Sequence, residues 1–264
     1  MIDSPLFDPA LMRGLEQVAA ALVLAAVVVG IVSLRGLALE REWGLAIGRG
    51  FVQIMLMGSV IALLLSVPVA ASAFVILGMM LGGAWIAHSR AGEIPGAFRI
   101  ATAGIVLGAG VVIVVMTAVG AIEARVRDLV PVGSMIVANG MKASSLALDR
   151  FGDEVETHRE EIEATLALGV TPSRAIARHV ERGVRAALIP TVDSMRSLGW
   201  VWIPGLMTGM ILSGEDPIYA AEYQFVVMAM IFAAAGLASL TCGALVERYA
   251  FTDAHQLRSF HGES

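Results

Sequence analysis

Apolar runs long enough to cross a bilayer recur along this chain, and most of the charges fall in the short stretches between them. A hydrocarbon core about 30 Å thick takes roughly 20 apolar residues as a helix, so uncharged runs translate into predicted spans. The clearest lie at 15–34, 100–122 and 221–246. Residues 50–87 form 38 consecutive uncharged positions broken at Ser66-Val67-Pro68, which predicts spans at 50–67 and 69–87 joined by a tight outer turn. A shorter run, 197–214, precedes the last span. The pattern predicts an all-α, polytopic membrane protein forming a single transmembrane domain over 1–264.

The segment 130–148 scores poorly as a span because it contains Pro131, Asn139 and Lys142. The positive charges decide its reading. Arg35, Arg41 and Arg49 follow the first span, Arg90 and Arg99 the third, and Arg248 and Arg258 the last, while seven arginines lie between Arg150 and Arg196. The positive-inside rule puts all these loops in the cytoplasm. That is consistent only if 130–148 also crosses, which gives seven spans with the N-terminus out and the C-terminus in. A cytoplasmic helix-turn-helix elbow at 150–196 then joins spans five and six.

The elbow carries its own local signals. Leu168-Gly169-Val170-Thr171-Pro172-Ser173 holds a helix stop and a helix start. Gly169 suits the left-handed position after a helix end, Thr171 can cap the next helix, and Pro172 is pre-set for its first turn. Acids including Glu154, Glu156 and Glu163 precede this corner, and Arg174, Arg178, Arg182 and Arg185 follow it at helical spacing. The charges alone fit a solvated hairpin with weak cross-arm pairs. The stiff corner fits a surface that a partner pushes on. Glu163-Ala164-Thr165-x3-Gly169 resembles the loop by which importer-type ABC permeases dock on their ATPase, which marks Glu163, Gly169, Thr171, Pro172, Ser173 and Arg174 as candidate coupling residues.

Polar groups are expensive inside lipid, so the fifth span should face protein or water. Met135, Asn139 and Lys142 share one helical stripe, and small residues such as Gly133, Gly140 and Ser144 allow close packing. The residues leave two readings open, a tightly packed helix or a cavity lining. Pro204, between Ile203 and Gly205, should kink or unwind the sixth span. Asp193 and Arg196 are placed to pair at a helix end or to act as a hinge between elbow and pore.

Composition narrows the classes of function. At 57% hydrophobic and 16% charged, the 264-residue chain is more apolar than a soluble domain. A net charge of -5 offers no basic face for nucleic acid. One cysteine, Cys242, allows neither an internal disulfide nor a thiolate cluster. The acidic start Met1-Ile2-Asp3 lacks the basic region of a signal peptide, so the first span is expected to stay as an anchor. No G-x-x-x-x-G-K-[ST] loop is present, and the single lysine, Lys142, falls in a span, so no ATP site is expected in this chain. An intramembrane hydrolase lacks its serine or His-Glu-x-x-His motif.

A more specific likeness runs from about Leu37 to Met228. It rests on Arg185-Ala186-Ala187-Leu188-Ile189-Pro190-Thr191-Val192-Asp193-Ser194, on Pro204-Gly205-Leu206-Met207-Thr208-Gly209, and on Asp216-Pro217 and Tyr223-Gln224. Ala38-Leu39-Glu40, Gly48-Arg49 and Gln53 agree, as do Pro131 to Asn139 and Met141. The chain thereby resembles the FetB-type iron-export ABC permease family, to which plant aluminium-tolerance half-transporters are similar. Leu206 and Gly133-Ser134 depart slightly from that pattern. The resemblance implies a permease homodimer in the inner (plasma) membrane, working with a separate ABC ATPase subunit that binds ATP and Mg and moving a metal ion or chelate. Another small solute, or a non-transport scaffold or sensor whose elbow binds a soluble partner, are the alternative readings.

Candidate path residues are Gln53, Met135, Asn139, Met141, Lys142, Pro204, Met207 and Thr208. Thioethers favour copper(I) over iron, and methionine is also a common core filler, so the 14 methionines leave metal ligation open. His88, His158, His179, His255 and His261 are scattered through predicted loops with no ligand spacing inside a span. No metal site is assigned from the sequence, and a chelated or transient cargo fits these residues better than a tight intramembrane site.

Overall fold

A computed structural model describes residues 9–35, 40–64, 68–91, 94–252 and 254–258. Of the expectations above, the turn residues Ser66 and Val67, the Ala38-Leu39 pair and His261 lie outside them. Ten α-helices and one π-helical turn make up the described residues, with no strand among them. The chain divides into two compact units, Met1–Ser66 and Val67–Ser264.

The first unit consists of α1 (Pro9–Leu34) and α2 (Glu40–Leu64). Leu24 and Ile54, like most of their apolar side chains, are exposed, as suits helices whose partner is lipid or protein.

The second unit is built around two long helices, α6 (Val126–Thr157) and α10 (Pro217–Tyr249), packed on each other. Asp216 caps α10 by accepting from the Ile218 and Tyr219 N–H groups at 2.9 and 3.1 Å, and Pro217 occupies its first turn. Around this pair lie α3 (Ala70–Arg90), α4 (Ala97–Ile105), a π turn at Val106–Gly110 leading to α5 (Val111–Ala118), and α8 (Pro172–Ser197). The remaining helices, α7 (Arg159–Ala167) and α9 (Gly205–Leu212), are short.

Small residues set the packing distance in this unit. Gly104 and Gly108 face the stripe Ala234, Ala238 and Cys242 of α10. A Cβ on Gly108 would sit 2.7 Å from the Ala234 carbonyl oxygen and 2.8 Å from the Ala238 nitrogen. Backbone approach of this kind is how helices associate where burial from water supplies little drive. Gly108→Ala is therefore expected to overpack the interface, at a typical cost of about 1–3 kcal/mol. The check is a lower midpoint of thermal unfolding in detergent, with Gly236→Ala as control, since nothing lies within 4 Å of that site.

Five helices are long and apolar enough to cross a membrane among the described residues: Glu16–Leu34, Gly44–Ile61, Ala70–Arg90, the composite Ala97–Ala118, and Pro217–Tyr249. Three expectations need correction. The fourth predicted span ends at Ala118 and not at 122, because the chain turns through Val119 and Gly120, the latter at φ +78°. The fifth does not stop at 148: α6 continues to Thr157, so the first arm of the elbow begins as the same helix and breaks only at His158. The sixth, 197–214, is not one helix. It comprises the end of α8, a loop with Gly199 at φ +81°, and the eight-residue α9, about 12 Å long. Of the kink or unwinding expected at Pro204, the chain shows the unwound form: Pro204 stands as the N-terminal cap residue of α9, its extended backbone setting the helix start.

Candidate functional site

A cavity of about 500 Å³ lies between α6, α8 and α10. From α6 come Met135, Asn139 and Lys142, spaced four and three residues apart and so on one stripe. Pro190, Thr191 and Ser194 of α8 face them, Met228 and Ile231 of α10 close a side, and Trp202 reaches in from the loop before α9. Pro190 cannot donate to the Ala186 carbonyl, and the Ser194 hydroxyl donates to the Pro190 carbonyl at 2.9 Å. Asn139 Nδ2 donates to the Met135 carbonyl at 2.8 Å, which leaves its amide oxygen for a solute. Lys142 has no carboxylate partner among the described residues. The lining thus offers one ammonium, one amide, one indole, two hydroxyls and two thioethers, and no carboxylate, imidazole or thiolate among the described residues.

The elbow is tied to this cavity by α8. Its corner has the expected backbone: Gly169 takes φ +84°, and its N–H donates to the Leu166 carbonyl at 2.9 Å. Pro172 opens α8 directly after Thr171, whose carbonyl accepts from the Ala175 N–H at 3.0 Å although its hydroxyl makes no capping bond. At the tip Leu168 is 85% exposed, an apolar knob held out by a rigid turn. From Pro172 to Pro190 the same helix rises about 27 Å. It is clamped on the way, since Gly183 lies against the backbone of Ala147 and Phe151, where a Cβ would meet atoms at 3.2 and 3.3 Å.

Glu154 pairs across the arms. Glu154 Oε2 lies 3.0 Å from Arg182 Nη1, 3.3 Å from His179 Nδ1 and 3.6 Å from His158 Nδ1. Burial pushes the Glu154 carboxyl up, but hydrogen bonds from Arg182 and His179 and the neighbouring positive charge outweigh it and hold the group below its ordinary value. Glu156 and Glu163 instead pair with Arg159 on their own arm, both at 3.3 Å. Arg174, Arg178 and Arg185 have no ion pair among the described residues.

Of the path candidates in the second unit, Met135, Asn139 and Lys142 converge on the cavity, and Met141, Pro204, Met207 and Thr208 do not line it. Met141 packs against Gly83 of α3. Met207 donates its N–H to Gln224 Oε1 of α10 at 3.2 Å, and the Thr208 hydroxyl donates to the Pro204 carbonyl at the start of α9. Gln53 is exposed on α2 of the first unit. Asp193 and Arg196 lie 4.0 Å apart and exposed.

Sequence reasoning missed Thr191, Ser194 and Met228, and it missed Gln224, which is buried on α10 with its Nε2 unpartnered among the described residues. It also left the histidines apart, although His158 and His179 stand 11 and 10 residues on either side of Gly169. An antiparallel hairpin turning at Gly169 must bring them together, so the numbering held the signal.

The model of the uncharacterised protein family UPF0014 matches residues 15–251. The chain belongs to the UPF0014 family. Among UPF0014 relatives, "Probable iron export permease protein FetB" of Escherichia coli (strain K12) is 35% identical over 243 residues, 92% of this chain and 94% of that one. "UPF0014 membrane protein STAR2" of Oryza sativa subsp. japonica is 31% identical over 92% of this chain and 86% of its own length. "Protein ALUMINUM SENSITIVE 3" of Arabidopsis thaliana is 30% identical over 94% and 91%. No solved structure matches the chain at a significant level. Together with the apolar helices, membership in UPF0014 makes this a multi-pass membrane protein of a permease family.

Proposed function

We propose that the protein is the membrane subunit of an ATP-driven ABC exporter for iron or a related metal species, acting as a homodimer with a separate ATPase that binds ATP and Mg. The observation that carries this reading is the continuity of α8, which starts at the Gly169–Pro172 corner and lines the polar cavity with Pro190, Thr191 and Ser194. A push on the tip is transmitted to the cavity by a helix that needs no second joint.

In this reading the N-terminus is outside, the C-terminus and the elbow are cytoplasmic, and α6 crosses with its polar stripe turned to the cavity. The end of α8, its loop and α9 share a broken sixth crossing of the kind that transporters use around their cargo. The cavity chemistry supports an anionic or chelated cargo. A bare divalent cation would meet the Lys142 ammonium without a carboxylate or imidazole to bind it, whereas hydroxyl or carboxylate groups of a chelate match Lys142, Asn139, Thr191 and Ser194.

The deciding experiment is export from vesicles holding the chain and its copurified ATPase, with free iron(II) and anionic iron chelates supplied on each side in turn. ATP-dependent movement of the chelate in one direction is expected. Vesicles that hydrolyse ATP without moving either form would remove the assignment.

A further inference from the structure

We propose that Glu154, His158 and His179 form a binding site for a divalent first-row metal that fastens the two arms of the elbow to each other. One nitrogen from each imidazole and a Glu154 carboxylate oxygen lie within 4.8 Å of one another. Two imidazoles and one carboxylate are a ligand set suited to iron(II) or zinc(II). The rings approach with centroids 5.0 Å apart at 42°, and His179 is buried, so the cluster is shaped by packing and not by two free surface side chains.

The three ligands come from three different places. Glu154 is in the last turn of α6, His158 is the break between α6 and α7, and His179 is on α8. His158 Nδ1 lies 2.9 Å from the Glu154 carbonyl oxygen and 3.6 Å from Glu154 Oε2; with the proton on Nδ1, Nε2 is the ring nitrogen left to ligate. Metal–ligand bonds of about 2.0–2.1 Å require ligand atoms on the order of 3 Å apart, so side-chain rotations that close the widest separation by up to about 2 Å complete the site. Arg182 occupies Glu154 Oε2 when the metal is absent, and its side chain, 39% exposed, is free to swing to solvent. Metal thus replaces a weak cross-arm ion pair by a coordinate link between α6 and α8. If the elbow drives export, as proposed above, this braces it when metal is plentiful.

The test uses the full-length chain purified in detergent without any ATPase, titrated with Co(II) and followed by visible absorption. About one equivalent is expected to bind with the spectrum of imidazole and carboxylate ligation, displaceable by Zn(II). Glu154→Gln and His158→Ala should each weaken binding at least 10-fold, a loss typical even of outer-shell partners. Arg182→Ala should bind as well as or better than the parent chain, an outcome that folding damage does not mimic. Absence of saturable binding by the parent chain, or unchanged binding in both ligand variants, overturns the site. Because no transport is measured, the site and the exporter assignment stand or fall separately.

Discussion

Export from vesicles should fall by about tenfold when Gly169→Val is combined with Pro172→Ala, while the chain remains inserted and the cavity intact. Gly169 holds φ +84° with nothing within 4 Å of its would-be Cβ, so valine meets no neighbour and acts only through the backbone. Holding an L side chain in the left-handed region costs about 1–2 kcal/mol, more for a β-branched one. Removing Pro172 releases the φ that starts α8 in register. If docking on the ATPase requires the native corner, a penalty of this size converts to roughly a tenfold loss of the docked state. Gly169→Asn is the matching control, since asparagine tolerates the left-handed region and should keep most of the flux. Both ATPase copurification and ATP-dependent flux are measured. Native values for both in the valine–alanine variant would mean that the corner does not transmit the work of hydrolysis.

The parts of this fold that were legible in the sequence are those written in local chemistry. Uncharged runs located the helices α1 to α5 and α10, because a membrane helix is specified by composition over one continuous stretch. Gly169 and Pro172 located the corner, because each acts on its own backbone, whereas the side-chain cap expected of Thr171 is not made. The sixth span, expected to kink or unwind at Pro204, is interrupted over a longer stretch than local chemistry indicated. Hydropathy sums over 197–214, but the helix break there is set by the loop at Gly199 and by Pro204, whose extended conformation begins a new helix.

Tertiary information was less accessible. The stripe Met135, Asn139 and Lys142 was visible from spacing, yet its partners Thr191, Ser194 and Met228 come from helices whose facing sides no single-sequence period reveals. Met207 and Thr208 are path candidates for their thioether and hydroxyl; the Thr208 hydroxyl bonds at the start of α9 and the Met207 backbone N–H ties α9 to Gln224, contacts that spacing along one sequence does not show. The partners of the weak cross-arm pairs stayed open as well: charge complementarity along two helices says nothing about which i,i+4 partners compete, and Arg159 pairs with Glu163 on its own arm.

Reversing the one charge of the cavity should separate the cargo possibilities. Lys142 lines a space of about 500 Å³ without a carboxylate beside it, so its ammonium is available to a solute. A unit charge 4 Å away at an effective dielectric constant of 20 is worth about 4 kcal/mol. Even a third of that, about 1.4 kcal/mol, is tenfold in occupancy. Lys142→Glu replaces this attraction by repulsion and should lower export of an anionic iron chelate by more than about tenfold, with ATPase copurification unchanged. Asn139→Leu removes one neutral amide and should cost less, about 0.5–1.5 kcal/mol for the hydrogen bond lost. The ordering of the two variants carries the argument, because a merely structural role predicts the opposite: Asn139 is half-buried and bonded to its own helix, whereas the Lys142 side chain is exposed to the cavity. Export by Lys142→Glu at or above the parent rate would mean that the metal crosses as a bare cation, drawn by the new carboxylate.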